Sequence, residues 1–447
     1  MTAAAGLTPR AIAVEAFRAI TDRREPLDAA FPDAIAKSGE TDIPARDRAL
    51  ARLILLAGLR RAGSLTALVE SYLETGIPPK SGPLRAILVL AAAQLILIRA
   101  PAHAVINVAV TQCQKHPRAR RFSKLSNAVL RRLSETGDER FAALDACEHD
   151  IPAWFLDRWT AAYGAETARA IATASLAPAD LDITPKSLER AEEIASALSA
   201  TVLPTGSLRL AGSHDIAALD GFQDGAWWVQ DVAATLPARI LINAGNAAAG
   251  ARTLDVCAAP GGKTMQLAAA GLDVTALDRS AKRLVVLQSN LDRVGLTASI
   301  ATADARTWEP ETLFDGVLLD APCSATGTLR RHPDILHVRT QDDVRGLVAL
   351  QAELLARSAR FVRAGGTLVY CTCSLETDEG PDQVAAFLEA HPEFETVAID
   401  AAALGVPADW MTTDGALRTL PHFAFAADAP MPGIDGFYAA ALRKRSI

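Results

Sequence analysis

From about residue 236 onward the chain alternates short apolar runs with amphipathic stretches, and this alternation restricts the fold more than any other feature. Strand-like runs fall at 252–256, 273–277, 299–302, 314–319 and 367–370, and helical spacing marks 263–270, 281–294 and 341–362. Alternation of this kind builds a doubly wound, mostly parallel sheet with helices on its faces. Such sheets present their ligands at the carboxyl ends of the strands. An α/β, Rossmann-like domain is therefore expected over 236–447.

The first 140 residues read differently. Apolar residues recur at helical spacing over 9–20, 45–61, 65–74, 83–98, 104–114 and 124–134. Turn signals at Gly76-Ile77-Pro78-Pro79, Ala100-Pro101 and His116-Pro117 separate them. An all-α bundle is expected over 1–140, with an acidic linker at 138–150. Residues 151–235 read as a small α+β region: helix-like to about 177, helical again over 188–198, with a strand near 207–210 and an extended entry at 225–231. Three regions suit 447 residues, too many for one core.

The longest apolar run, 86–98, is flanked by Arg85 and Arg99. It falls short of the ~20 residues that span a bilayer, so a buried helix is expected, and no membrane partner. The start, Met1-Thr2-Ala3-Ala4-Ala5-Gly6, has no charged region followed by an apolar one, so no signal peptide is read. Six cysteines in so long a chain are not a disulfide framework. A cytoplasmic location is expected. Nothing indicates the oligomeric state, and a monomer is favoured.

A net charge of −7 argues against a nucleic-acid partner until its distribution is considered. Residues 1–150 hold 21 Lys+Arg against 16 Asp+Glu, whereas the remainder holds 24 against 36. Lys115, Arg118, Arg120, Arg121, Lys124, Arg131 and Arg132 come with no acid among them. They form either a phosphate-binding surface or a solvated helix face.

Thr253 to Thr264 reads as strand, glycine loop and helix, with Cys257, Ala258, Ala259, Pro260, Gly261, Gly262 and Lys263 forming the loop. Glycines admit a ligand close to the backbone, and a helix start favours an anion. The Gly-Lys-Thr ending is not a nucleotide-triphosphate loop, because that motif needs a glycine five residues before Gly262, where Cys257 stands. Asp278 ends the second strand, where an acid binds both hydroxyls of a ribose. Asp304 follows the third strand, where an acid can receive an adenine amino group. The set fits S-adenosylmethionine as well as a dinucleotide.

Two cysteines occupy look-alike settings, Asp320-Ala321-Pro322-Cys323-Ser324 and Tyr370-Cys371-Thr372-Cys373-Ser374. Each follows a strand-like run. A thiolate at a strand end, assisted by a second thiol, suits covalent methylation of a pyrimidine carbon. Addition of the thiolate at carbon 6 of cytosine makes carbon 5 nucleophilic. An acid near N3, for which Asp320 is placed, offsets the charge that builds on the ring. Cys113 and Cys147 read as buried small hydrophobes, and Cys371 as part of its strand. The spacings are not those of a zinc site, so no metal is expected. A redox pair would leave the glycine loop unexplained. These residues alone leave open which thiol attacks.

The segments 255–264, 320–334 and 370–375 resemble the signature motifs of the Sun-type (RsmB-like) RNA cytosine-5 methyltransferases. The ending, from Pro421-His422 to Asp435-Gly436-Phe437-Tyr438, is similar to the family's closing strand region. Residues 1–140 resemble its NusB-like RNA-binding domain, most clearly in Asn127-Ala128-Val129-Leu130-Arg131-Arg132. The resemblance implies that the loop from Cys257 to Lys263 holds the methionine part of S-adenosylmethionine. It implies Asp278 at the ribose, Asp304 by the adenine, and Asp320 between cofactor and base. It assigns attack to Cys373 and product release to Cys323. Small-subunit (16S) rRNA is the implied substrate, with tRNA or another rRNA site as the alternative and a non-catalytic assembly factor as a further one. The chain departs from the family pattern at Ala325, at Gly380, and over 181–184, where the acid Asp182 stands in a segment expected to face RNA.

Overall fold

The structure is a computed structural model and describes residues 7–40, 42–212, 214–244, 249–425 and 433–446. The leader reading rested on Met1–Gly6, which lies outside these, as does the part of the closing segment at 426–432. The chain forms two compact units, Met1–Ala177 with Leu329–Thr340, and Pro178–Thr328 with Gln341–Ile447.

The first unit is all-helical: α1 (Leu7–Arg23), α2 (Leu27–Lys37), α3 (Ala45–Arg60), α4 (Ala62–Glu70), α5 (Leu84–Ile96), α6 (Ala102–Lys115), α7 (Ser123–Ala142), α8 (Ala146–Asp150), α9 (Ala153–Tyr163), α10 (Ala165–Ser175) and, from the later segment, the short α15 (Ile335–Val338). Every residue of α5 except Arg85 is buried, so the longest apolar run is the centre of this bundle. A helix apolar all round must be covered all round. Among the described residues no helix is long and apolar enough to cross a membrane.

Three expectations change here. The helix α2 was not anticipated, because Pro32 interrupts its pattern. It has no side-chain cap of its own, and the carboxylate of Asp334 accepts its first N–H, from Leu27, at 3.0 Å. The acidic stretch 138–150 is not a linker. It completes α7 and forms α8, and the buried Asp150 accepts from Arg61 Nε and Ser64 N, both at 2.7 Å. The units also part at Ala177/Pro178 rather than at 140 or 235, since α10 packs with both α8 and α9 in the helical unit.

The second unit opens with a small antiparallel sheet of β1 (Leu181–Pro185), β2 (Thr201–Val202), β3 (Leu208–Leu210) and β4 (Trp227–Val229), in the order β2-β3-β1-β4. A helix α11 (Ala191–Leu198) covers part of it, and α12 (Val232–Asn243) leads on. Asp182 on β1 is fully buried, contrary to its expected place against RNA. Arg209 on β3, its register partner, grips it bidentately with both N···O distances at 2.7 Å. Asp182 thus serves an internal ion pair rather than a surface that faces RNA.

The large sheet contains β5 (Arg252–Val256), β6 (Asp273–Asp278), β7 (Ser299–Thr302), β8 (Phe314–Asp320), β9 (Val362–Thr372), β10 (Phe394–Val397), β11 (Leu417–Thr419) and β12 (Phe437–Lys444). Its order is β10-β12-β9-β8-β5-β6-β7, with β11 on β12. The five strands from β9 to β7 are parallel; at one end β12 pairs antiparallel with β9, and β10 antiparallel with β12. This is the expected doubly wound, mostly parallel arrangement. Leu254, Val256, Val317, Leu318, Leu319, Leu368 and Val369 are fully buried within it, as expected of parallel strands covered on both faces. The strand order reverses between β5 and β8, and the site lies at the carboxyl ends there.

The Asp182–Arg209 pair yields a stability prediction. Arg209→Met leaves a buried carboxylate without its cation and should cost about 3–5 kcal/mol. That would appear as a lower urea midpoint at unchanged slope. Pairing it with Asp182→Leu should recover most of the loss.

Candidate active site

The loop after β5 turns sharply into α13 (Gly262–Ala269). Cys257 and Gly261 both sit at positive φ, 63° and 107°. A Cβ on Gly261 would meet Leu287 Cγ at 2.9 Å, so glycine is required for both conformation and space. Leu287 lies on α14 (Ala281–Val294), the helix that follows β6. Asp278 closes β6 and binds this loop: its Oδ2 accepts from Ala259 N at 3.2 Å, and its Oδ1 from Ser280 N at 2.9 Å.

A cavity of about 290 Å³ opens over these strand ends. Its wall includes Cys257, Ala259, Pro260, Asp278, Asp304, Asp320, Cys323 and Cys373. Each of these stands out in the sequence, and the fold gathers them from the ends of five strands. It does not bring Ala258, Gly261, Gly262 or Lys263 to the wall. Ala258 and Lys263 are buried behind it, and the two glycines shape the turn.

Lys263 nevertheless reaches the chemistry. Its Nζ donates to Asp320 Oδ2 at 2.8 Å. Burial disfavours the ammonium, but the charge of Asp320 and its neighbours more than offsets this and raises the Lys263 pKa. On the other oxygen, Asp320 Oδ1 lies 3.5 Å from Cys371 Sγ. Cys371 is fully buried in β9; burial, followed by the Asp320 charge, raises its thiol well above the ordinary value. It therefore remains protonated and is no nucleophile. Cys257 is pushed up to about 12, chiefly by burial.

Cys323 and Cys373 face each other with their sulfurs 3.5 Å apart. The hydrogen bond to Cys373, then burial and the nearby charges of Cys373 and Glu379, raise the Cys323 thiol well above its ordinary value. Cys323 is therefore held in its protonated form. Asp304 also has a partner: Arg306 Nη2 lies 2.7 Å from its Oδ2 and, as hydrogen-bond donor, lowers its pKa to about 2.

Sequence reasoning missed several residues here. Arg279, Arg283, Arg306, Leu350 and Leu354 line the cavity, the leucines from α16, the helix Gln341–Phe361. Arg283 and Arg306 hold site carboxylates. Glu379, fully buried, bonds to the serine that follows Cys323 and to the one that follows Cys373. Its one signal was its place shortly after the Thr-Cys-Ser motif.

The departure at Ala325 has a backbone cause. Its φ is +60°, the left-handed region in which glycine is at ease. The next glycine, Gly327, lies against Gly436, whose N–H donates to Gly327 O at 2.8 Å. A Cβ on Gly327 would fall 1.9 Å from Gly436 O.

Comparison with known proteins agrees with this geometry. Residues 243–443 match the family described as 16S rRNA methyltransferase RsmB/F, and residues 7–135 match the NusB family. The ribosomal RNA small subunit methyltransferase B of Xanthomonas campestris pv. campestris is 35% identical over 462 residues, covering 100% of this chain and 99% of that protein. Its counterpart in Pseudomonas putida is 34% identical, covering 98% and 99%. The solved protein PH0851 shares the fold over 98% of this chain and 99% of its own, with a TM-score of 0.71 at 24% identity.

Two predictions follow from the environments above. Ala325→Gly should stabilise the protein by up to about 1 kcal/mol, the left-handed penalty less the added chain entropy, measured by denaturant unfolding. Asp255, behind the loop, is fully buried and accepts from Thr264 Oγ1 at 2.6 Å. Burial pushes its pKa up to about 7. The folded state therefore keeps a proton that the unfolded chain has already lost, and this group's contribution to stability falls as pH rises from about 4 to about 7. Asp255→Asn removes that slope, so its melting temperature relative to wild type should climb between pH 5 and pH 8.

Proposed function

Because the chain belongs to the RsmB/F family of rRNA methyltransferases, we propose that it makes 5-methylcytosine in 16S rRNA, using S-adenosylmethionine as methyl donor. The observation that carries the reading is the pair of thiols 3.5 Å apart at adjacent strand ends, in one cavity with Asp320. The donor set fits the cofactor: the Asp278 carboxylate suits ribose hydroxyls, Asp304 suits an adenine amino group, and Cys257, Ala259 and Pro260 supply a close backbone wall. When bound, S-adenosylmethionine supplies an electrophilic methyl group.

The chain's own residues do the rest. The target cytosine must leave its stack to reach the cavity. Cys373, as thiolate, adds to carbon 6; a C–S bond forms and the ring electrons become available at carbon 5. Asp320, braced by Lys263, faces the ring edge on which charge changes during addition. After methyl transfer, carbon 5 carries both the methyl group and its original hydrogen. Transfer of that proton to water re-forms the C5=C6 bond as the C–S bond breaks and its electron pair leaves with the Cys373 thiolate. Cys323, beside Cys373, assists this release. The family resemblance supports the division of roles: attack falls to the cysteine of the Thr-Cys-Ser motif, Cys373, and release to that of the Pro-Cys-Ser motif, Cys323.

The helical unit supplies the RNA grip. Lys115, Arg118, Arg120, Arg121, Lys124, Arg131 and Arg132 are all exposed around the α6–α7 junction. Such a surface binds phosphates without regard to sequence. The free thiols that the mechanism needs suit a reducing cytoplasm.

The decisive measurement is methylation of 16S rRNA from a strain lacking the protein. Cys373→Ala should show no transfer. Cys323→Ala should accumulate a covalent protein–RNA adduct, seen as a retarded band on a denaturing gel. Full activity of Cys373→Ala would overturn the mechanism.

A further inference from the structure

The mechanism needs two thiols at a fixed separation, yet each sits on a loop beyond the last paired residues of its strand. Parallel pairing of β8 with β9 ends at Asp320 opposite Cys371. Past that point two backbone bonds continue the link, Ala321 N to Cys371 O and Gly327 N to Cys373 O, both 3.0 Å. Cys323 and Cys373 lie within this stretch, and their neighbours Ser324 and Ser374 are both fully buried.

Glu379 meets both serines. Its carboxylate accepts from Ser324 N at 2.9 Å, from Ser324 Oγ, and from Ser374 Oγ at 2.6 Å. Gln351 on α16 donates to the same carboxylate at 2.9 Å and to Pro322 O at 2.9 Å. The backbone carbonyl of Glu379 accepts from Tyr370 OH at 2.9 Å and Thr372 Oγ1 at 3.1 Å, which fastens the acid to β9. A carboxylate without exposure is costly unless its lone pairs are filled; here the donors come from the residue after each thiol. The two serine hydroxyls end up 3.1 Å apart.

We infer that Glu379 is a positioning residue that sets the separation of the Cys323 and Cys373 thiols by binding the serine that follows each. The inference rests on the proposed two-thiol chemistry for its catalytic meaning, but the clamp itself can be tested without RNA. Glu379 does not touch the reacting atoms. It acts through the two loops, and its nearness to Cys323 also favours the protonated thiol there.

Glu379→Gln keeps the size of the side chain but places an NH2 among donors, so at least one serine or Gln351 contact is lost. In the full-length protein, two readouts separate positioning from general stability. The first is capture of phenylarsine oxide, which needs two close thiols, mapped to the Cys323 and Cys373 peptides by mass spectrometry. The second is steady-state methylation. With S-adenosylhomocysteine binding intact, Glu379→Gln should weaken arsenical capture about 10-fold and lower kcat about 100-fold, as misplaced reacting groups do, while the KM for S-adenosylmethionine stays within about threefold. If Glu379→Gln does not fold, Ser324→Ala and Ser374→Ala remove one contact each. Each should lower kcat and arsenical capture about 3- to 10-fold, with a larger loss in the double variant. Folded variants with wild-type arsenical capture and wild-type kcat would overturn the clamp. If the wild type methylates no cytosine, the function reading fails, and arsenical capture still decides the clamp.

Discussion

The side-by-side placement of β8 and β9 is the constraint on which the site depends. Cys323 and Cys373 are 50 residues apart in the chain and come within 3.5 Å because their strands pair in parallel with Asp320 opposite Cys371. A parallel pair needs a crossover, supplied here by the long helix α16. The same helix sends Gln351 back to the Glu379 carboxylate and Leu350 and Leu354 to the cavity wall. On its other edge β9 is covered by β12, so Cys371 and Thr372 are locked into the sheet while Cys373 is released just beyond it. A one-residue slip would turn Cys371 and Cys373 away together, since both lie on one face.

Four carboxylates at the strand ends show how one residue type takes different roles from its surroundings. Asp255 is fully buried with a single hydroxyl donor and is held toward its neutral form. Asp278 accepts from backbone N–H groups that shape the loop while still lining the cavity. Asp304 is held ionised by Arg306. Asp320 sits between the Lys263 ammonium and the Cys371 thiol and faces the cavity. Glu379 is a fifth, turned away from the cavity and spent on geometry. The buried pair Asp182–Arg209 shows the opposite use, a charge enclosed for internal pairing.

Much of this is legible in the sequence alone. The parallel strands are runs of apolar residues covered on both faces, and such runs stand out locally. The glycine loop was legible because Gly261 needs a positive φ and has no room for a Cβ. Cys373 could be told from Cys371 because it falls past the strand end. The helix α2 was hidden by Pro32, and its missing cap comes from Asp334, some 300 residues away in sequence. The segment after the Pro-Cys-Ser motif reads as part of the catalytic signature. Yet Leu329–Thr340 belongs to the helical unit, where Arg60 donates to Arg330 O at 2.8 Å and His337 pairs with Leu59 O at 2.9 Å. Asp182 and Glu379 carry no local mark that distinguishes a buried acid from an exposed one.

The sequence by itself determined the fold class, the strand-end positions of the acids and thiols, and the glycine loop, because periodicity, turn chemistry and backbone strain are local properties. Which groups touch was decided only by the tertiary structure. The 3.5 Å between the thiols, the Lys263–Asp320 pair and the two serines on Glu379 each join residues from separate elements. Burial and hydrogen-bond partners set the chemical state of a carboxylate or a thiol, and both arise only when distant segments pack together.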